Sequence, residues 1–164
     1  MHILYANLPL VKESALGKNR YMVSEKFTFG MSNDAKMIRQ EVFVEEQGFQ
    51  NEFEEKDSRL WTLVLYLDGE PISTGRIEPL DPERFQIGRV AVRKKYRGMK
   101  VGTYTMKYLT NKILSLGGRI AVVHAQIDKV PFYYSLGFRE DREIPHEYDE
   151  GVEHVVMRKV LKKL

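Results

Sequence analysis

One stretch of the chain, residues 85–126, places a basic loop with glycines and a helical run between two β-rich runs. The β-rich runs are FQIGRVAV and RIAVVHAQ, and the helical run TYTMKYLTNKILSL ends at the pair Gly117-Gly118. Apolar residues recur at helical spacing in the middle run and are nearly continuous in the last one. This order predicts a strand–helix–strand crossover, in which the loop joins the first strand to a helix over residues 103–116.

The N-terminal half predicts a strand, a helix and a hairpin. Residues 20–29 alternate as a strand does, and Ser32-Asn33-Asp34 offers capping side chains for a helix over AKMIRQEVFVEEQ. Gly48 is suited to end that helix. Asp68-Gly69 lies between two β-rich runs and is a turn pair typical of a hairpin.

The C-terminal half predicts a short helix and a final strand. DKVPFYYSLGF indicates a helix that breaks at Gly137, VEHVVMRKV alternates as a strand, and a tail hairpin is expected around Tyr148 to Glu150. Hairpins together with one crossover predict an α/β (α+β mixed) fold, with helices on both faces of a central mixed sheet. We expect about six or seven strands, mostly antiparallel, in a single domain over residues 1–164.

Composition excludes several classes of protein. The 164 residues contain no cysteine, which excludes disulfides, thiolate metal sites and a covalent cysteine mechanism. The first residues lack the pattern of a signal peptide, and no apolar stretch approaches the ~20 residues that cross a bilayer. We therefore expect a soluble cytoplasmic protein. The four histidines show no metal-binding spacing, and no Gly-x-Ser-x-Gly motif is present.

The loop of the crossover is the most informative segment. A strand that feeds a glycine-containing turn into a helix leaves backbone N–H groups aimed at one point, which makes an anion site. Gly98 and Gly102 allow close approach of a ligand, and Arg97 can donate charge-assisted hydrogen bonds to phosphate. The loop matches neither the Walker nor the dinucleotide fingerprint. The alternatives are an ordinary connection with a solvated basic face, or a nucleic-acid surface. The basic residues are Arg89, Arg93, Lys94, Lys95, Arg97 and Lys100.

Residues 97–102 resemble the acetyl-coenzyme A loop of the GNAT superfamily of N-acetyltransferases, whose pattern is Arg/Gln-x-x-Gly-x-Gly/Ala. Arg97 and Gly102 match its ends, and Lys100 replaces the middle glycine. Residues 132–138, FYYSLGF, are similar to a second element of that superfamily. A third set of matches resembles its bacterial ElaA-like subgroup and comprises RxxVFVxEQ from Arg39, Asp57, Ala125-Gln126, and GVxH at residues 151–154. The resemblance spans roughly residues 30–158, in the superfamily's order.

The resemblance implies the GNAT acyl-CoA N-acyltransferase fold and an enzyme that binds acetyl-coenzyme A (acetyl-CoA) as cosubstrate, without a metal. The amine would attack the thioester directly, while a backbone N–H of the strand, that of Val92 with Val90 nearby, holds the thioester oxygen. The implied cofactor-binding residues are Val90, Ala91, Val92, Arg97, Gly98, Met99, Lys100, Val101, Gly102, Thr103 and Tyr133.

The resemblance also suggests catalytic residues. Tyr133 would be the general acid for the departing thiolate, and the alternative is a core aromatic. Candidates for the general base are Glu46, Glu78 and His124, each of which has an ordinary structural interpretation. The expected acceptor site comprises Arg39, Glu46, Gln47, Asp57, His124 and His154. Its carboxylates suit a cationic amine, unless Arg39 and Glu46 belong to a structural ion-pair network.

Two other functions stay open at this point. A coenzyme A sensor without turnover is one, because Lys100 puts a side chain where the superfamily has bare backbone. A nucleic-acid binder using the basic run is the other, and it would show salt-sensitive affinity. The expected partners are acetyl-CoA and an amine, with no nucleic acid and no membrane. Exposed strand edges near the C-terminus are compatible with a homodimer.

Overall fold

A computed structural model describes residues 3–6 and 21–162 of the chain. The described residues divide into two compact units. The first unit includes the residues up to Arg76 together with Arg89–Tyr108, and the second includes Ile77–Gly88 together with the residues from Leu109 onward.

The first unit holds the N-terminal strands and the helices between them. Its strands are β1 (Ile3–Ala6), β2 (Tyr21–Phe29), β3 (Trp61–Leu67), most of β4 (Glu70–Pro79) and the end of β5 (Arg84–Val92), in the order β1-β2-β3-β4-β5. Strands β1 and β2, like β2 and β3, pair antiparallel, with Phe27 opposite Leu63. Its helical elements are α1 (Asn33–Arg39), a π-helix (Gln40–Glu46), the first half of α2 (Val101–Ser115), and 3-10 turns at Glu55–Arg59 and Lys94–Tyr96.

Local chemistry explains where α1 begins. The Ser32 side chain accepts a hydrogen bond from the Ala35 N–H at 3.2 Å, which confirms the predicted N-cap. The predicted single helix over residues 35–47 is wrong in one respect, because it changes from α to π winding at Gln40. Periodicity over so few residues does not separate the two windings, since both bury Ile38 and Val42.

The Asp68-Gly69 pair forms the predicted hairpin turn between β3 and β4. Both residues have positive φ, 49° for Asp68 and 84° for Gly69. Two successive positive φ values characterise the type I′ turn, whose twist matches the flanking strands. The Asp68 carboxylate also accepts a hydrogen bond from the Met22 N–H at 3.1 Å.

The second unit contains the parallel pairing of β5 with β6 and the C-terminal strands. Its elements include β6 (Ile120–Gln126), a 3-10 turn (Ile127–Lys129), α3 (Val130–Ser135), β7 (Arg139–Glu140), β8 (Glu147–Asp149) and β9 (Val152–Val160). Strand β5 pairs parallel with β6 from Arg84 opposite Ile120 to Ile87 opposite Val123. Strand β9 pairs antiparallel with β6, β7 and β8. The mixed, mostly antiparallel sheet is therefore confirmed, and so is the crossover.

The short strands make the sheet larger than predicted. Strand β7 has only two residues and β1 only four, so neither carries a recognisable alternation. The predicted tail hairpin is confirmed, because Glu150 and Gly151, with φ of 47° and 80°, connect β8 to β9. Fully buried side chains form a core in each unit: Ile38, Leu63, Val64, Leu65 and Ile72 in the first, and Ile77, Ile87, Leu109, Ile113, Phe138 and Met157 in the second.

Candidate active site

The loop between β5 and α2 lies in the first unit and ends at a helix N-terminus. Helix α2 begins at Val101, and the Tyr104 N–H donates to the Lys100 carbonyl at 3.2 Å. The N–H groups of Val101, Gly102 and Thr103 precede the first intrahelical donor, so they are the groups that an α-helix leaves for a ligand. Together with the positive end of the helix dipole, they favour an anion.

Two residues of the loop have left-handed backbone conformations. Gly98 has a φ of 78° and Lys100 a φ of 60°, and both residues are exposed. Among the described residues, apart from Gly98 and its two chain neighbours, no heavy atom lies within 4 Å of the position that a Cβ on Gly98 would occupy. Lys100 therefore keeps the backbone conformation that a glycine adopts easily, and its side chain adds a cation to the loop. Met99 and Val101, on either side of Lys100, are buried.

Arg97 contacts a carboxylate of the π-helix. Its Nη1 lies 2.8 Å from Glu46 Oε2 and its Nη2 lies 3.0 Å from Glu46 Oε1, which is a bidentate pair. Its Nε donates to the Val92 carbonyl at 2.9 Å. The predicted phosphate ligand and one predicted general base are therefore paired with each other. Gln47, next to Glu46, is exposed.

A second ion pair joins the same two elements. Arg93 Nε lies 3.0 Å from Glu41 Oε2, and Arg93 Nη1 donates to the Pro71 carbonyl at 3.0 Å. Glu41 and Glu46 are five residues apart, and in a π-helix hydrogen bonds join residues i and i+5. The π winding therefore brings both carboxylates to the same side, where they meet Arg93 and Arg97.

Arg39 and Asp57 lie in a buried charge network in the first unit. Arg39 is 1% exposed and Asp57 is 3% exposed. Arg39 donates to Asp57 Oδ1 at 2.8 Å, to Glu52 Oε1 at 2.7 Å and to the Glu52 carbonyl at 2.9 Å. The buried position of this pair favours the structural interpretation over direct contact with an acceptor.

Two more arginines complete the network. Arg76 lies 2.7 Å from both Asp57 Oδ1 and Glu54 Oε2, and Arg89 Nε lies 3.2 Å from Glu52 Oε1. Burial opposes ionisation of Asp57, but hydrogen bonds from Arg39, the Glu54 N–H and Arg76 outweigh it and hold the pKa of Asp57 well below its usual range. For Glu52 burial dominates, and its pKa is raised despite the neighbouring arginines.

The residues expected to hold the thioester, at the end of β5, come directly after Arg89 of this network in the sequence. Arg89 has a φ of 53°, which interrupts the regular strand conformation of β5 just before Val90. Ala91 is buried, whereas Val90 and Val92 are half-buried. The Arg89 guanidinium also donates to the Glu52 carbonyl at 3.3 Å. The irregular conformation at Arg89 is thus tied to residues of the buried network.

Tyr133 lies in the second unit, on α3. Its ring packs edge-on against Phe132 and Phe138, with centroid distances of 5.0 and 5.8 Å. Burial alone raises the pKa of Tyr133 to about 12. Its phenol therefore stays protonated throughout the neutral range, as a general acid requires. The neighbouring Tyr134 is exposed and stacks with Arg139.

The remaining predicted residues also lie in the second unit. The pairing of β6 with β5 ends at Val123, and His124 is the next residue of β6. Its side chain is exposed, whereas those of Val123 and Ala125 on either side are buried. Its Nδ1 lies 2.9 Å from Glu147 Oε2. His154, opposite Gln126 on β9, has its Nδ1 2.8 Å from the Val152 carbonyl. Glu78 is half-buried near the end of β4.

Sequence analysis did not single out the partners of the predicted residues. These partners are Glu41, Glu52, Glu54, Arg76 and Glu147. The acidic run over residues 41–57 was the available signal for the first three. Nothing in the sequence indicates that Glu147 meets His124, because the two residues lie on different strands separated by β9.

Comparison with known proteins decides the family. The sequence profile described as the acetyltransferase (GNAT) domain matches residues 30–161. The chain belongs to the GNAT family. It is also similar to YjcF of Bacillus subtilis, which is named as an uncharacterised N-acetyltransferase, with 32% identity over 130 residues, 77% of this chain and 90% of that protein.

Solved GNAT structures have the same fold. Escherichia coli ElaA is 25% identical with a TM-score of 0.71, over 84% of this chain and 99% of ElaA. A GNAT family acetyltransferase from Elizabethkingia anophelis, solved with acetyl-CoA bound, is 14% identical, with a TM-score of 0.66 over 85% of this chain and 98% of that one. The second likeness concerns the fold alone.

The described residues contain neither a membrane-spanning helix nor a cluster of metal ligands. Over residues 3–6 and 21–162, no helix is long and apolar enough to span a bilayer. Within the same ranges, no group of three or more acidic and histidine side chains is arranged to hold a metal ion. The α2 N-terminus and its cations fit the anionic pyrophosphate of a coenzyme A molecule, since exposed donors and positive charge converge on one loop.

Proposed function

We propose that this GNAT protein transfers the acetyl group of acetyl-CoA directly to a cationic amine, either a small molecule or a peptide. The observation that carries the proposal is the loop over residues 97–102. Its left-handed Gly98 and Lys100 lead into the α2 N-terminus, where backbone N–H groups and cations favour a pyrophosphate.

When bound, acetyl-CoA supplies the thioester that the amine attacks. In this proposal the backbone N–H of Val92, with Val90 nearby, polarises the thioester carbonyl. The irregular backbone at Arg89 supports this role, because a strand residue next to an irregularity is freed from regular pairing. The cofactor-binding set is the predicted one, from Val90 to Thr103, together with Tyr133.

Tyr133 is proposed as the general acid for the thiolate. Its raised pKa, about 12, keeps the proton on the phenol, so the phenol can donate a hydrogen bond to the thiolate as it leaves. The aromatic packing on Phe132 and Phe138 fixes the ring.

Of the three candidate bases, we favour His124. A carboxylate can only accept a hydrogen bond, so the contact with Glu147 fixes the proton of neutral His124 on Nδ1 and leaves a lone pair on Nε2. Glu46 is paired with Arg97, and the half-buried Glu78 has other interactions. A neutral imidazole suits proton transfer near pH 7.

The acceptor residues divide by burial. Four of them have exposed or half-buried side chains and are proposed to contact the amine: Glu46, Gln47, His124 and His154. Arg39 and Asp57 are nearly fully buried and paired with each other. They are proposed to stabilise the acceptor site without contacting the amine. A carboxylate such as Glu46 binds an ammonium by a charge-assisted hydrogen bond.

Calorimetric titration of the purified protein with acetyl-CoA, dephospho-coenzyme A and ATP tests the proposal. We expect saturable binding of acetyl-CoA and weaker binding of ATP. Amines are then screened for an acetylated product by mass spectrometry. Absence of acetyl-CoA binding at millimolar concentration would refute the proposal. Binding without any acetylated product would instead support the sensor that Lys100 first suggested.

A further inference from the structure

While Glu46 is in place, the Arg97 guanidinium has no edge with two free N–H groups that could bind a phosphate bidentately. Its Nη1 and Nη2 face the two Glu46 oxygens at 2.8 and 3.0 Å, and its Nε faces the Val92 carbonyl at 2.9 Å. Bidentate recognition of phosphate uses the same fork that carboxylate uses. The Glu46 carboxylate therefore occupies the place on Arg97 that a pyrophosphate oxygen pair would take.

We infer that Glu46 is an internal competitor for the coenzyme pyrophosphate, displaced from Arg97 when acetyl-CoA binds. This inference rests on the proposed function, because it assumes that the loop over residues 97–102 binds coenzyme A. It gives one carboxylate two successive partners, first the Arg97 guanidinium and then, once released, the ammonium of the amine substrate.

The second ion pair of the π-helix supports this exchange. Arg93 is held by Glu41 and also by the Pro71 carbonyl, and its side chain is 25% exposed. The Arg97 side chain is 41% exposed, and besides Glu46 it contacts the carbonyl of Val92, the last residue of β5. The Arg93–Glu41 pair can therefore hold the π-helix beside the loop while the more exposed pair opens.

Solvent exposure makes the exchange feasible. An exposed ion pair contributes little stability, because water screens both charges. The pyrophosphate as a whole carries more negative charge than a carboxylate, and in the proposed site it meets the α2 N-terminus at the same time. Acetyl-CoA can therefore displace Glu46 with a small loss of affinity, whereas a buried pair would resist displacement.

Calorimetric titration of Glu46→Gln with acetyl-CoA tests the inference. Removing the competing carboxylate should tighten binding about two- to fivefold, the range expected for loss of an exposed pair. Glu41→Gln is the matched control, since it removes the same charge from the same π-helix but frees Arg93 instead. We expect Glu41→Gln to change the affinity by less than twofold, about the uncertainty of such comparisons.

A double-mutant cycle separates competition from simple repulsion. In an Arg97→Gln background, Glu46→Gln should no longer tighten binding, because there is no guanidinium to release. Equal gains in both backgrounds would overturn the inference and indicate a long-range charge effect. Weaker binding by Glu46→Gln would overturn it too, since Glu46 would then orient Arg97 for the phosphate.

The outcomes also distinguish this inference from the proposed function. Binding by the wild type with an unchanged affinity in Glu46→Gln would refute only the inference. Tighter binding by Glu46→Gln than by the wild type would support both the inference and the proposed function. Absence of binding by both proteins would overturn the proposed function, and the inference with it.

Discussion

Lys100 adopts a backbone conformation that costs an L-residue roughly 1–2 kcal/mol. The lysine replaces the middle glycine of the loop pattern, yet its φ of 60° is one that glycine reaches freely. The Lys100 side chain is exposed. A lysine in place of the glycine of the pattern therefore changes the charge of the loop and not the course of its backbone.

Lys100→Gly and Lys100→Ala separate these two contributions. Both should lower the affinity for acetyl-CoA about two- to fivefold, because both remove one exposed cation from a phosphate site. Lys100→Gly should be more stable than Lys100→Ala by about 1 kcal/mol, since only glycine relieves the left-handed backbone. Calorimetry and denaturant unfolding measure the two quantities. Tighter binding by Lys100→Gly would show that the lysine hinders the coenzyme.

Tyr133→Phe should lower turnover about 10²-fold or more, with little change in acetyl-CoA affinity, because only the proton donor is lost. A Tyr134→Phe control, at the exposed neighbour, should leave turnover unchanged. Burial raises the pKa of Tyr133 to about 12, so its protonated form persists below that pH. Steady-state kinetics from pH 6 to pH 10 should therefore show no loss of turnover at alkaline pH due to Tyr133. Normal turnover by Tyr133→Phe would exclude the residue from the mechanism.

At the scale of the elements, the ion pairs of the protein differ greatly in burial. Arg39, on α1, holds Glu52 and Asp57 in the buried network, whereas Arg84 and Asp81 pair at the surface, 2.7 Å apart. A buried charge that loses its partner is costly, while an exposed one is solvated by water. The contribution of each arginine to stability should therefore follow its burial.

Arg39→Ala should destabilise the protein by about 3–5 kcal/mol, because it removes the buried guanidinium that pairs with both the Glu52 and the Asp57 carboxylates. Arg84→Ala is the matched control at an exposed pair and should cost much less stability than Arg39→Ala. Urea unfolding followed by circular dichroism measures both values. Similar small losses in the two variants would mean that the buried network contributes little to stability.

For the whole molecule, we propose that the chain unfolds as one domain, as its length and its lack of a linker predict. The boundary between the two compact units falls inside three elements, β4, β5 and α2. Neither unit therefore consists of whole strands and helices alone. A single domain of this size usually unfolds in one cooperative transition. Differential scanning calorimetry should show equal calorimetric and van't Hoff enthalpies. Two separable transitions would contradict the proposal.

The order of elements and the position of the coenzyme loop followed from the sequence. Alternation located β2 and β9, a nearly continuous apolar run located β6, the Asp68-Gly69 pair located one hairpin, and the crossover located the loop that precedes α2. These features depend on local spacing and on residues that favour one backbone conformation, which a sequence displays directly. The family resemblance that rested on the loop and on residues 132–138 was confirmed.

Only the tertiary structure decided which charged residues meet. Arg97 and Glu46 are 51 residues apart in sequence, and Arg39 and Asp57 are 18 apart. The π winding after Gln40 and the left-handed backbone at Lys100 also came from the structure. Ion pairs depend on where distant elements pack, and no local pattern encodes that distance. The sequence thus determined the fold and the family, while packing determined how each charged side chain is used.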